Sequence, residues 1–208
     1  MRNWKSKTNI PASAKIGISL VTYHQGHCLA SLIHSIKAQT YKNYYIHIMH
    51  DGPWSSEYNR TICLKAVDGD PRFFVGCTET RANKFGHNMR QAGFDAAIKE
   101  GCDWIGTMNG DCWYAPVYFE WMLGSAYSIK ASFVYCNMVH SHTLWGSVKT
   151  SIARGKIDGG GFLMRKSLCD TVKWTSTEFA ADWFYIDKLK NKPGFVPAKV
   201  DGYLFTHN

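Results

Sequence analysis

Three aspartates stand at the ends of predicted secondary-structure elements. Asp51 follows the second predicted strand, Asp111 follows the fourth, and Asp182 begins a late helix. Ligands of an open parallel sheet bind beyond the carboxyl ends of its strands, so Asp51 and Asp111 are expected at one crevice although they are distant in sequence. Asp182 is placed to close that crevice from the second half of the chain. Because carboxylates bind divalent cations and accept protons, the crevice is a candidate functional site.

Each aspartate also has an ordinary structural interpretation. Asp111 ends an Asn-Gly-Asp sequence and Asp51 begins an Asp-Gly-Pro sequence, and both sequences are typical of turns. Asp182 would suit the N-cap of its helix. Taken alone, Asp111 would be interpreted as a turn residue; beside the other segments described below, a functional interpretation of each aspartate is favoured over these alternatives.

The elements that must position these residues alternate along the first part of the chain. Apolar runs predict strands over residues 16–23, 44–49, 72–76 and 104–108, and helical spacing predicts helices over residues 29–39, 88–100 and 116–129. The helix over residues 88–100 has a face of small side chains, which permits close packing on a sheet. This alternation predicts an α/β fold with a mostly parallel sheet that helices cover on both faces.

The second part of the chain is less regular. It contains a predicted strand over residues 133–139, a short apolar run over 162–164, predicted helices over 166–173 and 180–190, and an extended tail over 193–208. Residues 140–156 are polar and without clear periodicity, which predicts a mobile loop that acts as a lid.

Composition excludes several classes of protein. The 208 residues are 45% hydrophobic and 14% aromatic, which excludes a disordered chain and suits one domain. The formal charge of +8 fits phosphate-bearing partners but does not separate nucleic acid from nucleotides or an anionic membrane. Seven scattered cysteines without a Cys-x-x-Cys pair indicate reduced thiols. With a polar start over residues 1–15 and no run near ~20 apolar residues, the sequence predicts a cytoplasmic protein that is peripheral to a membrane at most.

Four segments together resemble the inverting glycosyltransferases of family 2, which have the GT-A fold. Residues 18–41 are similar to the opening strand and helix of the family, and His50-Asp51-Gly52 is similar to its Asp-Asp-Gly turn. Residues 83–116 resemble its helix, strand and Asp-x-Asp stretch, with residues 109–111 at the Asp-x-Asp position. Asp182-Trp183 stands where the family has its catalytic pair.

The resemblance implies a GT-A fold with a mostly parallel, Rossmann-like sheet. Within one domain over residues 1–208, residues 15–111 would bind the nucleotide-sugar, and residues 112–208 would form a smaller region with the acceptor site and catalytic base. The implied reaction transfers a sugar, with inversion, from a nucleotide-diphosphate donor, UDP-linked, to a hydroxyl acceptor on a glycan, lipid or protein. A divalent metal, Mn²⁺ or Mg²⁺, would stabilise the charge that develops on the leaving diphosphate.

The resemblance also implies roles for individual residues. Asp51 would accept a hydrogen bond from the nucleobase, with Thr22 and Tyr23 lining the same pocket. Asp111 would bind the metal, and Asp182 would be the general base that deprotonates the acceptor hydroxyl. His207 is similar to a late histidine that completes the family's metal site, with a surface position at a fraying chain end as the alternative.

Further candidates surround these positions. Arg81, Lys84 and Asn88 precede the third predicted helix, where a diphosphate can meet positive charge and a helix N-terminus, and solvated surface is the alternative for both cations. Trp113 and Trp183 are expected to contact the sugar acceptor, although large aromatic residues usually belong to a core.

Two residues depart from the family pattern and motivate a second hypothesis. Asn109 replaces the first acid of the Asp-x-Asp motif and His50 replaces the first acid of the turn, while Asp111 keeps the last acid. On this pattern, Asn109→Asp is expected to tighten metal binding. The lost acids motivate an alternative, a degenerate domain that binds nucleotide-sugar or glycan without turnover. Nucleic-acid binding ranks last because the Lys and Arg residues are dispersed and no nucleic-acid motif is present.

Overall fold

The computed structural model describes residues 10–54 and 56–208. Residues 1–9, which belong to the polar start of the chain, lie outside the described residues, as does Ser55. The strands are β1 (Ile16–Thr22), β2 (Tyr44–His50), β3 (Phe73–Cys77), β4 (Trp104–Asn109), β5 (Trp113–Tyr114), β6 (Phe133–His140), β7 (Gly146–Val148), β8 (Phe162–Arg165) and β9 (Pro197–His207). The helices are α1 (Gly26–Lys37), α2 (Glu57–Val67), α3 (His87–Lys99), α4 (Tyr118–Ser128), α5 (Lys166–Cys169) and α6 (Ala181–Lys190), and 3-10 turns cover Ser141–Thr143 and Gly159–Gly161.

The described strands form one sheet with the order β3-β2-β1-β4-β8-β6-β9-β5, and β7 pairs with β6. The first four strands in this order are parallel, and the remainder of the sheet is mixed. Thr22 of β1 lies opposite His50 of β2, and Val21 lies opposite Asn109 of β4. This register brings the carboxyl ends of the three strands to one edge, as the sequence predicts.

Helices pack on both faces of the sheet. On one face, Ile18 and Leu20 of β1 belong to a buried cluster with apolar residues of α1, α2 and α4. On the other face α3 lies very close to β1, because a Cβ atom on Gly17 would be 2.4 Å from Ala97 and one on Gly93 would be 2.1 Å from Ser19. The small-residue face of α3 therefore packs closely on the sheet, as the sequence predicts. The α/β fold with helices on both faces of the sheet is confirmed.

Three elements differ from the sequence predictions. The helix α2 is missing from them because few of its side chains are buried: Cys63, Ala66 and Val67 among eleven residues. The helix predicted over residues 166–173 ends as the single turn α5 at Cys169. Part of the predicted loop over residues 140–156 is the strand β7, which pairs antiparallel with the end of β6.

In the described part of the chain, every helix is too short or too polar to cross a membrane. All seven cysteines are among the described residues and are free thiols, as the sequence predicts.

Candidate functional site

A cavity of about 870 Å³ opens beyond the carboxyl ends of β1, β2 and β4. The segment around Asp158, the start of α6 and the end of β9 close it from the second half of the chain. Most of the residues that the sequence predicts for the site line this cavity: Thr22, Tyr23, Asp51, Arg81, Asn109, Asp111, Asp182, Trp183 and His207. The topology therefore gathers residues that are up to 185 positions apart, from Thr22 to His207, around one space.

At one end of the cavity, Asp51 is held by the loop that precedes α3. Its Oδ1 accepts a hydrogen bond from the backbone N–H of Ala82 at 2.9 Å, and its Oδ2 accepts one from that of Asn83 at 3.1 Å. The guanidinium carbon of Arg81 lies 3.6 Å from the centroid of the Tyr23 ring. This end of the cavity thus offers a fixed carboxylate beside an aromatic ring and a cation, a combination suited to a planar polar group such as a nucleobase.

His50 occupies the position of the family's first turn acid. It is buried, donates from Nδ1 to the carbonyl oxygen of Gly52 at 2.9 Å, and stacks on Trp54 with ring centroids 4.5 Å apart. Burial lowers its pKa, so the ring is neutral near neutral pH. His50 stabilises the turn that presents Asp51.

Asn109 points to a buried cation. Its Oδ1 accepts a short hydrogen bond from Nη2 of Arg90, whose Nη1 also donates to the carbonyl oxygens of Ser19 and Met108 at 3.0 and 2.6 Å. Burial lowers the pKa of Arg90 to about 10, which leaves the guanidinium charged at neutral pH. The side-chain oxygen of Asn109 is therefore engaged by a cation from the chain itself.

Asp111, Asp158 and His207 meet at the centre of the cavity. Nδ1 of His207 lies 2.8 Å from Oδ2 of Asp158, and Nε2 of the same ring lies 3.9 Å from Oδ1 of Asp111. Burial would lower the pKa of His207, but the hydrogen bond and the charges of Asp158 and Asp111 raise it overall. Burial raises the pKa of Asp111 against the opposing effect of His207.

The centre of the cavity fits a divalent cation. Asp111, Cys112 and His207 form one group of possible ligand atoms that lie within 4.8 Å of one another, and His140, Asp158 and His207 form another such group. The 3.9 Å between Asp111 Oδ1 and His207 Nε2 is too long for a hydrogen bond and short enough for both atoms to reach one ion. Oxygen and imidazole donors are suitable ligands for Mn²⁺, and oxygen donors for Mg²⁺.

Asp182 lies in the first turn of α6, while the N-cap position belongs to Ala180. The interpretation of Asp182 as the N-cap is therefore wrong. Its Oδ2 accepts from the backbone N–H of Gly159 at 3.1 Å and its Oδ1 from that of Trp183 at 2.7 Å. Burial, and then the charge of Asp158, raises the pKa of Asp182 to about 6. A carboxylate with this pKa is mostly ionised at neutral pH and is a stronger proton acceptor than an ordinary aspartate.

Three predicted residues lie elsewhere. Lys84 and Asn88 are exposed and are not among the residues that line the large cavity, although their neighbours Asn83, Phe85 and His87 are. Trp113 is 48% exposed and lines a smaller cavity of about 280 Å³ with Trp145, which touches the large one at Asp111. The functions predicted for these three residues stay predictions.

Sequence reasoning missed Asp158, Arg90 and His140, which belong to the site or lie directly beneath it. Asp158 had a signal, because it precedes three glycines that form a 3-10 turn. That turn is tightly enclosed, since a Cβ atom on Gly160 would lie 2.8 Å from the Tyr114 hydroxyl and one on Gly161 would lie 2.7 Å from the Phe205 ring. Arg90 also had one, since it is a charged residue on the small, sheet-facing stripe of α3.

The model of the family described as "Glycosyl transferase family 2" matches residues 18–181, which is most of the sequence. The chain therefore belongs to this family, and the predicted class, a glycosyltransferase domain, is confirmed. No curated protein matches the sequence.

Solved structures with the same fold include two glycosyltransferases. S. aureus TarS 1–349 in complex with UDP-GlcNAc has a TM-score of 0.75 at 10% identity, over 93% of this chain and 58% of that chain. The mannosyltransferase PcManGT from Pyrobaculum calidifontis, in complex with GDP-Man and Mn²⁺, has a TM-score of 0.66 at 9% identity, over 92% of this chain and 56% of that chain. These matches confirm the GT-A fold, and this chain spans less than two thirds of the length of either protein.

Proposed function

We propose that this chain transfers a sugar from a nucleotide-diphosphate donor, UDP-linked, to a hydroxyl acceptor, with inversion and with the assistance of Mn²⁺ or Mg²⁺. The observation that carries the proposal is the convergence of Asp51, Asp111, His207 and Asp182 on one cavity. Membership of the family and the UDP-GlcNAc complex of TarS support a nucleotide-sugar as the donor. The acceptor class, a glycan, lipid or protein hydroxyl, and a cytoplasmic location stay predictions.

The donor nucleotide would bind at the Asp51 end of the cavity. Both oxygens of Asp51 already accept a backbone hydrogen bond, and each keeps a further lone pair for an N–H of the base. Thr22 and Tyr23 line the same end, and Arg81 covers the ring of Tyr23. The cavity volume of about 870 Å³ is within the range of ligand pockets, roughly 300 to 1,000 Å³.

The diphosphate would lie at the centre of the cavity, against Asp111 and His207. When bound there by these two residues, a divalent cation supplies positive charge opposite the leaving diphosphate. Arg90 adds a fixed positive charge behind Asn109 at the same edge of the sheet. The chain thus replaces the first acid of the Asp-x-Asp motif by a neutral amide that is paired with a guanidinium.

Asp182 would deprotonate the acceptor hydroxyl. Its carboxylate is fixed by two backbone N–H groups and lines the cavity from α6, in the half of the chain that follows β1, β2 and β4. In a single displacement the acceptor oxygen, whose proton passes to Asp182, attacks the anomeric carbon while the diphosphate leaves from the opposite side, and this back-side attack inverts the anomeric configuration. Trp183 lines the cavity beside Asp182 and offers an aromatic face for the acceptor sugar.

Calorimetry and donor turnover together test the proposal. UDP and GDP are titrated in turn with Mn²⁺ present, and release of UDP from UDP-GlcNAc is followed with water as the acceptor. Metal-dependent binding of UDP with slow UDP release is the expected result. Binding of neither nucleotide at millimolar concentration would contradict the proposal.

A degenerate binding domain is the second candidate function. The engagement of Asn109 by Arg90 favours it, because a neutral amide that is paired with a guanidinium reduces the negative charge available for a metal. It predicts tight nucleotide binding with no release of UDP from any UDP-sugar donor under any divalent metal.

A further inference from the structure

Asp158 is fixed in place between the glycine turn and His207. Its side chain is 14% exposed, its Oδ1 accepts from the backbone N–H of Gly160 at 2.7 Å, and its Oδ2 lies 2.8 Å from His207 Nδ1. The turn is itself held, because the carbonyl oxygen of Gly160 accepts from the hydroxyls of Tyr114 and Tyr118 at 2.9 and 3.2 Å. Asp158 therefore has little freedom to move away from His207.

This contact determines which nitrogen of His207 is free. A carboxylate oxygen only accepts hydrogen bonds, so Nδ1 must carry the hydrogen that points to Asp158. In the neutral imidazole, Nε2 then has the lone pair, and this atom is the one that lies 3.9 Å from Oδ1 of Asp111. A carboxylate that orients a histidine in this way is a common partner of metal-binding imidazoles.

We propose that Asp158 is a positioning residue of the metal site, which holds His207 in the tautomer and orientation that direct Nε2, together with Asp111, at a divalent cation. The need for a metal rests on the proposed function, whereas the choice of Asp158 rests on the contacts that this residue makes. The proposal adds to the site an acid that the Asp-x-Asp motif and the late histidine do not identify in the sequence.

Asp158→Asn tests the tautomer with little change in volume. If the amide oxygen keeps the hydrogen bond from Gly160, the amide NH₂ faces Nδ1 of His207, which must then present a lone pair. The hydrogen of the neutral ring moves to Nε2, and the lone pair that binds the metal is lost. The affinity for Mn²⁺ is expected to fall by about 10- to 100-fold.

Asp182→Asn is the matched control. It makes the same chemical change at a second carboxylate that the same turn holds, where Asp182 accepts from the backbone N–H of Gly159. It also removes one negative charge from the cavity, so a purely electrostatic effect on Mn²⁺ would appear in both variants. We expect the control to keep Mn²⁺ affinity within about threefold of wild type, because Asp182 acts on His207 through its charge alone, with no hydrogen bond or ion pair between them among the described residues.

Electron spin-echo spectroscopy of bound Mn²⁺ gives a direct readout of nitrogen ligands. With Mn²⁺ alone and with Mn²⁺ plus UDP, wild type and Asp182→Asn are expected to show a directly coordinated nitrogen, and His207→Ala and Asp158→Asn are expected to lose it. The double variant that combines Asp158→Asn with His207→Ala is expected to bind Mn²⁺ no more weakly than His207→Ala alone, because both changes remove the same ligand. Thermal unfolding of each variant shows that it is folded.

Three results would overturn the proposal. One is a wild-type spectrum without a nitrogen ligand, which needs no variant at all. Another is a nitrogen signal that persists in His207→Ala, which would assign the ligand to His140, whose ring centroid is 4.7 Å from that of His207. The third is an Asp158→Asn variant with wild-type affinity and nitrogen signal. If Asp158→Asn does not fold, Asp158→Ser takes its place, because it keeps an acceptor for Gly160 and removes the carboxylate from Nδ1 of His207. A serine hydroxyl does not force the tautomer, so a smaller loss of Mn²⁺ affinity is expected, and wild-type affinity with a wild-type nitrogen signal would overturn the proposal.

The experiment separates this proposal from the proposed function. A nitrogen signal with Mn²⁺ alone that depends on Asp158, in a protein that binds no UDP, would support the positioning role and reject sugar transfer. UDP binding and turnover together with an Mn²⁺ spectrum that lacks a nitrogen ligand would support sugar transfer and reject the positioning role of Asp158.

Discussion

Asp182→Asn is the change that bears most sharply on the reaction. The variant keeps the size of the side chain and removes the proton acceptor, and loss of a positioned general base costs about 10² to 10⁴ in rate. In energy this is about 3 to 5 kcal/mol of transition-state stabilisation. The binding of UDP is expected to change less than about threefold, because the carboxylate acts on the acceptor hydroxyl.

The structure also gives the expected effect on stability. The rise of the Asp182 pKa from 3.8 to about 6 means that folding destabilises the charged form by about 3 kcal/mol, and the amide avoids this cost. The amide has one acceptor oxygen, so it gives up one of the two backbone hydrogen bonds to the carboxylate, worth about 1.5 to 3 kcal/mol. The two effects offset each other, and the melting temperature is expected to stay within a few degrees of wild type.

The pH dependence follows from the same pKa. A general base must be ionised, so the rate of wild type is expected to fall as pH falls through about 6, by about tenfold per pH unit below it. Stability should change in the opposite direction. The folded-state pKa is above the unfolded value, so protonation of Asp182 below pH 6 relieves its burial and adds stability as pH falls towards 4.

The assay is UDP release from UDP-GlcNAc, with UDP affinity and melting temperature measured on the same preparations. Asp187→Asn is the matched control, because Asp187 is on the same helix and its carboxylate pairs with Lys190 at 2.6 Å, outside the lining of the cavity. The control is expected to keep wild-type turnover. Turnover of Asp182→Asn within a few-fold of wild type would refute the assignment of the base, and a joint loss of UDP affinity and melting temperature would indicate a structural role.

The other predictions concern the metal and nucleotide ends of the cavity. Asp111→Ala is expected to abolish the additional rise in melting temperature that Mn²⁺ gives to the UDP complex, and an unchanged rise would remove Asp111 from the metal site. Asn109→Asp, which the sequence pattern alone predicts to tighten metal binding, is now expected to change Mn²⁺ affinity less than threefold by titration, because the new carboxylate would face Arg90 and pair with it. A gain of tenfold would show instead that residue 109 reaches the metal. Arg81→Ala removes the cation over Tyr23 and is expected to weaken UDP binding by about two- to fivefold in calorimetry, whereas Arg60→Ala, on α2 away from the cavity lining, should leave it unchanged.

Much of the fold could be predicted because its signals are local. The strand β1 is a mostly apolar run that is fully buried, and the small-residue face of α3 packs on the sheet. Asp51 and Asp111 fall on one cavity because parallel strands deliver their carboxyl ends to one edge, and Asp182 reaches the same cavity from the start of α6. The helix α2 could not be predicted this way, because its apolar pattern is weak and one of its larger apolar residues, Leu64, is exposed.

The centre of the site could be predicted only in part, because its contacts join distant residues. His207 reaches the cavity because β9 pairs with β6, which places it opposite His140. The role of Asp158 depends on its contact with His207, which is 49 positions away in the sequence. The different role of Asn109 depends on Arg90, a buried cation that the pattern of acids in the sequence does not reveal. Local patterns locate the ends of the strands, and the partners of side chains across the cavity follow from the topology.

A crystal structure with UDP and Mn²⁺ tests the proposed function most directly, because it locates nucleobase, diphosphate and metal together. We expect the nucleobase against Asp51, with Thr22 and Tyr23 beside it, and Mn²⁺ bound by Asp111 and by Nε2 of His207 next to the diphosphate. UDP bound outside this cavity, or Mn²⁺ held by neither Asp111 nor His207, would contradict the proposed function.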